Sequence, residues 1–418
     1  MADFSKLKKE LSQLEELERS LNLKQLQINR LLTITQAINN NVSAPGLYEM
    51  YNSFLSWEMG VQKMALFVLR NEDWECASSI GIEEDFLKLD LSELLPNYQR
   101  MRNIEEGLDH PLISQFDVVV PVLHKDQPIA YTFIGGFEKD KDLYNKMRFI
   151  TTISNIIAVA IENKRLFKDQ LKQERLRREM ELAGDMQKML VPSEFPKSDV
   201  FELSSIYIPM LGVGGDYFDF MEFPDDKFIF CIADISGKGI AAALLMANFQ
   251  ANFHSLIHKR TSLDNFVKDL NHSLFRITKG DKFMTLFIAE FDKKNYKLNY
   301  INAGHNLPVM AMDGQIQKLN KGCTILGAFP ELSEVEIGSI DIDNEALLLT
   351  YTDGLTDVRN NEGTFFDEDY LMQFAEQNEF NSASLFNEKL MTEIKRFKGD
   401  QEFPDDITVL TCKIFSKK

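Results

Sequence analysis

Residues 214–239 read GGDYFDFMEFPDDKFIFCIADISGKG, and this stretch decides the fold of the C-terminal half. Residues 215–223 and 227–235 have the composition of strands, and Pro224-Asp225-Asp226 between them is a tight turn, so the two form a hairpin. The second strand ends in FIFCIAD, apolar enough to be central in a sheet, and closes on a carboxylate, Asp234. The apolar segment 239–259 then reads as a helix. Working outward, strands are expected at 201–208, 283–291, 296–302, 307–312, 346–352 and 406–415, with helices at 262–278, 368–377 and 383–397. Hairpin turns such as Asp292-Lys293-Lys294-Asn295 make the sheets antiparallel, which predicts an α+β domain of two sheets flanked by helices.

The N-terminal half has a different pattern. From Phe4 to Ile38 the residues Phe4, Leu7, Leu11, Leu14, Leu21, Ile28 and Leu32 follow a 3–4 spacing, with Glu18 and Gln25 on the same seam. Two readings fit: an imperfect coiled coil, or an amphipathic helix packed on its own domain. Residues 44–163 then alternate helix and sheet: a helix at 47–60, a strand pair at 62–70 and 74–79 across Asn71-Glu72-Asp73, and strands at 115–123 and 129–137 across residues 124–128. A long helix follows from about Leu143. Its middle, KRLFKDQLKQERLRRE, is charged and suits a solvated or dimeric connector. Toward its end Leu176, Met180, Leu182, Ala183, Met186, Met189 and Leu190 make a wide apolar face, expected to dock on a domain, before Pro192 and Pro196 stop the helix. The expected limits are 1–38 (N-terminal helix), 39–163 (α+β domain), 164–190 (helical linker) and 191–418 (C-terminal domain), with the boundary to the last domain near Glu179 inside the long helix.

At 418 residues and 44% hydrophobic content, the chain can fill two or three domain cores. A formal net charge of -18 argues against a nucleic-acid partner held through phosphates. Cys76, Cys231, Cys323 and Cys412 form no CxxC pair and are expected as small buried apolar residues rather than zinc ligands. The charged N-terminus lacks the apolar core of a signal peptide, and the longest apolar stretch, Phe149–Ile161, is interrupted and too short to span a bilayer. No membrane association and a cytoplasmic location are therefore expected.

Four acidic motifs stand where strands end or turns begin: GGDYFD at 214–219, DISGKG at 234–239, YTDGLTD at 351–357 and DDIT at 405–408. Each alone is a common turn. Together they place carboxylates at the ends of buried strands with no Arg or His beside them in sequence, and a divalent cation is the economical partner. An all-carboxylate donor set selects a hard ion, Mg²⁺ or Mn²⁺. Two carboxylates about 5 Å apart repel by about 3 kcal/mol at an effective dielectric of about 20.

In this order, GGDYFDF, DISGKG followed by AAALLMA, NAGHNLP, YTDGLTD and DDITVL resemble the SpoIIE/RsbU branch of the metal-dependent (PPM) serine/threonine phosphatases. The preceding ELAGDMQKMLVP resembles that branch's regulatory entry helix, so the likeness covers roughly residues 175–415. It implies a PPM-type α/β/β/α sandwich in which Asp216, Asp234, Asp353 and Asp405 are the catalytic metal ligands. The Ile235 carbonyl adds a ligand, and Asp234 bridges two ions, Mn²⁺ or Mg²⁺. It also implies a phosphoserine or phosphothreonine substrate on a protein of the STAS-type anti-sigma antagonist class, hydrolysed by a water that two metals activate. The sequence departs from the wider family at Ser236 and Lys238, where relatives carry His, so no general acid is assigned. Lys238, at the start of the helix at 239, is a candidate phosphate-binding residue. His305, in NAGH, is expected to be structural. Residues 30–165 resemble a GAF domain in pattern. Asn145-Lys146 and Phe149 of the cyclic-nucleotide signature are present without the following Asp-Glu, so cyclic-nucleotide binding is not expected. A homodimer through the helix around Phe149–Leu176 is expected, with the sensor acting on the phosphatase through Leu176–Val191. Two competing readings are a diguanylate-cyclase-like enzyme, since GGDYF is close to GGDEF but has Tyr217 at the fourth position, and an inactive signalling scaffold.

Overall fold

The computed structural model describes residues 2–70, 73–104, 110–124, 127–136, 143–210 and 212–417. The turn residues 71–72 and 125–126 named above, and the last residue of the strand expected at 129–137, lie outside the described residues. The chain divides into two compact units, Met1–Gln173 and Glu174–Lys418.

The first unit contains α1 (Ala2–Asn39), α2 (Ala44–Ser53), β1 (Lys63–Arg70), β2 (Asp73–Ile80), β3 (Arg102–Asn103), β4 (Val118–His124), β5 (Gln127–Gly135) and the first part of α3 (Leu143–Lys188). The strands form one antiparallel sheet in the order β2-β1-β5-β4-β3. Alternating side chains feed two cores. Met64, Leu66, Val118, Val120 and Ile134 pack with Tyr51, Phe54, Ile150, Ile153 and Ile157 of the helices. Ala65, Phe67, Val119, Tyr131 and Phe133 pack with Leu91, Leu95, Tyr98 and Ile113 on the other face. Among the described side chains of α1, Ile34 packs in the first of these cores with Leu31 and Ile38 against it, while Leu11, Leu14, Leu21, Ile28 and Leu32 are exposed. These five seam positions are thus not covered by their own domain.

Along α3 the charged middle carries a ladder of i,i+4 pairs: Arg165–Asp169, Glu174–Arg178, Arg175–Glu179 and Arg177–Glu181. Each such pair adds about 0.3–0.5 kcal/mol to an exposed helix, which accounts for a helix with so little apolar surface.

The second unit begins within α3 and continues with β6 (Phe201–Ile208), β7 (Tyr217–Phe223), β8 (Lys227–Ile235), α4 (Ile240–Ile257), α5 (Leu263–Thr278), β9 (Met284–Asp292), β10 (Lys297–Ala303), β11 (Val309–Met312), β12 (Gln315–Lys318), β13 (Gly322–Cys323), β14 (Gly338–Asp341), β15 (Ala346–Tyr351), α6 (Asp353–Thr356), α7 (Glu368–Asn378), α8 (Ala383–Lys398) and β16 (Ile407–Ile414). One sheet runs β13-β10-β9-β8-β7, with β14 also on β10. The other runs β12-β11-β15-β16-β6. Pairing is antiparallel except for the short β10–β13 contact. The core between the sheets mixes Phe228, Phe230, Ile232 and Phe287 of the first with Phe201, Leu203, Leu348 and Leu410 of the second.

α4 and α5 cover the first sheet, and α7 and α8 the second. α5 buries Leu263, Phe266, Val267, Leu270 and Leu274, spaced as a helix face requires. α8 does the same with Phe386, Leu390 and Ile394, after Ser382 caps its N-terminus by accepting from the Leu385 amide at 3.2 Å. Among the described residues α4, and not Phe149–Ile161, is the one helix long and apolar enough by composition to cross a bilayer. It buries Met246, Phe249, Phe253 and Ile257 in the domain core. Of the four cysteines, all free, Cys231 and Cys412 are buried, while Cys76 and Cys323 are only partly so.

Candidate metal centre

Of the four motif aspartates Asp234 alone lies within a strand, and the other three flank strand ends. β7 starts at Tyr217, so Gly214-Gly215-Asp216 is a loop leading into it. Asp234 is the penultimate residue of β8, its backbone opposite Thr285. Asp353 lies past β15 and opens the single-turn helix α6. Asp405 lies two residues before β16.

Asp216 is 2% exposed. Its Oδ2 accepts from Thr408 Oγ1 at 2.6 Å and from Thr352 Oγ1 at 2.9 Å. The two threonines are themselves joined, the Thr408 amide donating to Thr352 Oγ1 at 3.0 Å. Hydroxyls from the second sheet thus orient a carboxylate at the edge of the first. Burial pushes the Asp216 carboxyl well above the usual carboxylate range, the charge of Asp234 adds to this, and the threonine bonds oppose it. Asp234 is raised by burial, then by Asp353, Asp405 and Asp406. Asp353 is raised by burial, then by Asp357 and Asp405. The motif aspartates are therefore close enough to contest one another's charge.

Gly215 allows this approach: a Cβ there would stand 2.8 Å from the Ile235 carbonyl oxygen and 3.5 Å from Asp234 Oδ1. The Ile235 carbonyl therefore borders the same cluster. The donor set, carboxylates plus a carbonyl, suits a hard divalent cation. As they stand, no three His, Cys, Asp or Glu side chains among the described residues close around one point. Asp216 is held by its threonines, and Asp405 is ion-paired with Lys238 Nζ at 2.7 Å. This corrects the expectation that the four aspartates lack basic partners. Lys238 is remote from Asp405 in sequence and adjacent in space. Lys238 also donates to the Pro404 carbonyl at 3.3 Å.

Asp406 organises the cluster and was not identified from sequence. Its Oδ1 accepts from the Met210 amide at 2.8 Å and its Oδ2 from the Gly215 amide at 3.0 Å. A Cβ on Gly214 would overlap Asp406 Oδ2, and a Cβ on Gly354 would overlap the Asp406 carbonyl oxygen. The glycines of the GGD and TDG motifs make room for this one residue. The second aspartate of GGDYFD, Asp219, faces elsewhere: it accepts from the Tyr217 hydroxyl and lies 2.6 Å from His254 Nε2. His305 is buried in a closed turn, its amide donating to Asn302 Oδ1 at 2.7 Å and its Nδ1 lying 2.8 Å from Thr285 Oγ1. Burial lowers its pKa to about 4, although the Tyr351 carbonyl works the other way.

The end of α3 contacts this loop differently from the sequence expectation. Leu182, Met186 and Met189 are 67%, 71% and 81% exposed, so the middle of the wide apolar face does not dock, while Leu190 at its end packs against the core. Gly184 and Gln187 do. A Cβ on Gly184 would overlap the Gly212 carbonyl oxygen. Gln187, buried, donates Nε2 to the Gly214 carbonyl at 2.7 Å and accepts the Gly214 amide on Oε1 at 3.0 Å. Close backbone approach requires a small residue and a polar reader, neither of which an apolar-face analysis seeks.

The second unit, two facing sheets with acidic turns gathered at their ends, resembles the PPM phosphatase domains of SpoIIE/RsbU type. Residues 224–415 match the family described as Stage II sporulation protein E (SpoIIE). Protein IcfG of Synechocystis sp. (strain ATCC 27184 / PCC 6803 / Kazusa) is 27% identical over 263 residues, covering 56% of this chain and 41% of that protein. Phosphoserine phosphatase RsbU of Bacillus subtilis (strain 168) is 23% identical over 243 residues, covering 58% of this chain and 71% of that protein. The chain therefore spans less than half the length of the first of these relatives. The SiaA-PP2C domain of Pseudomonas aeruginosa superposes with a TM-score of 0.52 at 17% identity, covering 59% of this chain and 99% of that one, a likeness of fold.

Proposed function

We propose that the chain is a metal-dependent protein serine/threonine phosphatase. The observation that carries this reading is the gathering of Asp216, Asp234, Asp353 and Asp405 from four separate turns, the first three with carboxyls that burial and neighbouring charges push toward protonation. Asp216, Asp234, Asp353, Asp405 and the Ile235 carbonyl would hold Mn²⁺ or Mg²⁺, two ions in the family arrangement. When bound, such ions supply charge stabilisation and lower the pKa of water for attack on phosphorus. Thr352 and Thr408 hold the Asp216 carboxylate in one orientation, Asp406 fixes the loop that carries it, and Lys238 offsets the charge of Asp405. Ser236 accepts the Phe283 amide on its hydroxyl oxygen at 3.1 Å, a structural contact at the start of β9.

The phosphoserine phosphatase named among the relatives supports a phosphorylated protein as substrate, and a STAS-type regulator is the proposed partner. The N-terminal unit is read as a GAF-like sensor acting through α3, in a cytoplasmic homodimer. Incubating the full chain with a phosphoserine peptide and Mn²⁺, before and after exhaustive chelation, tests the activity. Metal-dependent phosphate release is expected. No release from any phosphorylated peptide or protein, or conversion of GTP instead, would overturn it.

A further inference from the structure

β8 and β9 continue to pair beyond their strand ends. After Asp234 opposite Thr285 and Ile235 opposite Met284, one more pair closes. The Ser236 amide donates to the Phe283 carbonyl at 2.9 Å, and the Phe283 amide donates to Ser236 Oγ at 3.1 Å. This clip fixes the next residue on each side, Gly237 and Lys282. Gly237 has φ +104, a left-handed backbone that side chains rarely tolerate, and Lys282 Nζ lies 2.8 Å from where its Cβ would stand. The missing side chain leaves the space that the ammonium occupies. Lys282 is exposed and makes no hydrogen bond or ion pair among the described residues. Its neighbour across the loop, Lys238, is engaged by Asp405 and Pro404.

We propose that Lys282 binds the phosphoryl group of the substrate, a phosphomonoester dianion. The proposal rests on the phosphatase reading above. A dianion approaching a cluster of carboxylates is repelled, and bound cations are largely offset by their own ligands. A further positive charge is needed whose partner is the substrate alone. Lys238 is paired with Asp405, whereas Lys282 has no partner among the described residues. The Ser236–Phe283 clip holds its backbone three residues from that of Asp234's ladder partner, Thr285. An ammonium on a flexible stem suits a phosphoryl group that must arrive and leave, because it binds as a point charge without the fixed fork of arginine.

The test uses the full chain with Mg²⁺ and the variants Lys282→Met and Lys282→Arg, with inorganic phosphate as the probe. Calorimetric titration should show phosphate binding weakened about tenfold in Lys282→Met and largely kept in Lys282→Arg, as expected for loss of one charge-assisted contact. Steady-state hydrolysis of p-nitrophenyl phosphate should show KM and the phosphate inhibition constant rising together, with kcat changed much less. Phosphate affinity unchanged in Lys282→Met, in a variant of wild-type melting temperature, would overturn the proposal whatever the turnover. A wild-type chain that binds phosphate through Lys282 and hydrolyses no ester would instead overturn the phosphatase reading and leave this site standing.

Discussion

Thr408 Oγ1 lies 2.6 Å from Asp216 Oδ2, so a hydroxyl on a central strand of one sheet sets the carboxylate at the edge of the other. Replacing it by the near-isosteric Val keeps the volume and removes the bond. Hydrogen bonds to charged groups contribute about 1.5–3 kcal/mol, so Thr408→Val should raise the Mn²⁺ concentration for half-maximal activity about tenfold or more. At saturating metal most of the turnover should return. A metal titration of activity checks this, and an unchanged midpoint would contradict the role given to Thr408.

Divalent metal should also act on stability. Relief of repulsion among the aspartates means that Mn²⁺ binds the folded state in preference to the unfolded one. At one hundred times its dissociation constant it adds about 2.7 kcal/mol, a rise of roughly 5–10 °C in the melting temperature of a unit this size. Asp234→Asn and Asp353→Asn should each abolish most turnover and shrink this rise, with the circular dichroism of the folded protein retained. A metal-induced shift of full size in both variants would show that the ion binds elsewhere.

Gly214→Ala should be more damaging than an exposed glycine substitution, because the new methyl overlaps Asp406 Oδ2. The loop must move to admit it, and Asp216 two residues on must move with the loop. Turnover should fall more than about a hundredfold, given that small misplacements of reacting groups have effects of this order. Gly363→Ala, whose Cβ would meet nothing within 4 Å, is the uncrowded control, and its φ of +82 adds a backbone cost that Gly214 does not carry. If the two variants behave alike, crowding against Asp406 is not the cause.

Gln187→Leu removes two hydrogen bonds and leaves the Gly214 amide and carbonyl without their partners. About 1–3 kcal/mol of stability should be lost, together with activity that depends on the placement of the following Gly215 and Asp216. Met186→Lys, on the exposed face one residue away, should alter stability by less than about 0.5 kcal/mol. Melting temperature and turnover of the two variants, side by side, separate the docking residue from the apolar one.

His305 supplies a pH dependence. In the folded state burial lowers its pKa to about 4, against 6.5 for the free side chain. Above pH 6.5 it is neutral in both states and contributes no slope. As pH falls from about 6.5 toward 4 the unfolded chain takes up the proton and the folded chain does not, so up to about 3 kcal/mol of stability is lost over that window. His305→Gln should be less stable at neutral pH yet flatter between pH 6.5 and 4. Urea midpoints at three pH values would reveal an equal slope if His305 were not responsible.

Most of the second unit was legible in its sequence because apolar runs of strand length between Asp, Asn and Gly turns leave few alternatives. The strands at 201–208 and 227–235 fall on their expected residues. β12, β13 and β14 were not anticipated: each is four residues or fewer, and QIQK shows no core face in composition. The aspartates of the site were readable as chemistry, but Asp406 was hidden by its neighbour, since nothing local distinguishes two adjacent carboxylates. Its partners Met210, Gly214 and Gly215 are nearly two hundred residues away. The Lys238–Asp405 pair was out of reach for the same reason. The α3 contact was misassigned because hydrophobicity predicts burial only where side chains pack. Gly184 and Gln187 instead meet bare backbone.

The glycines around Asp406 have a consequence for sequence drift. Gly214, Gly215 and Gly354 belong to two motifs on two sheets, yet all three meet the same residue, two of them where a methyl would overlap it. They are a single shared constraint. A relative that replaced Asp406 by a smaller side chain would relieve Gly214, while Gly354, which meets the Asp406 backbone, would stay fixed. Substitutions at 214 and 406 should therefore covary in descendants of this chain, and those at 354 should not follow them.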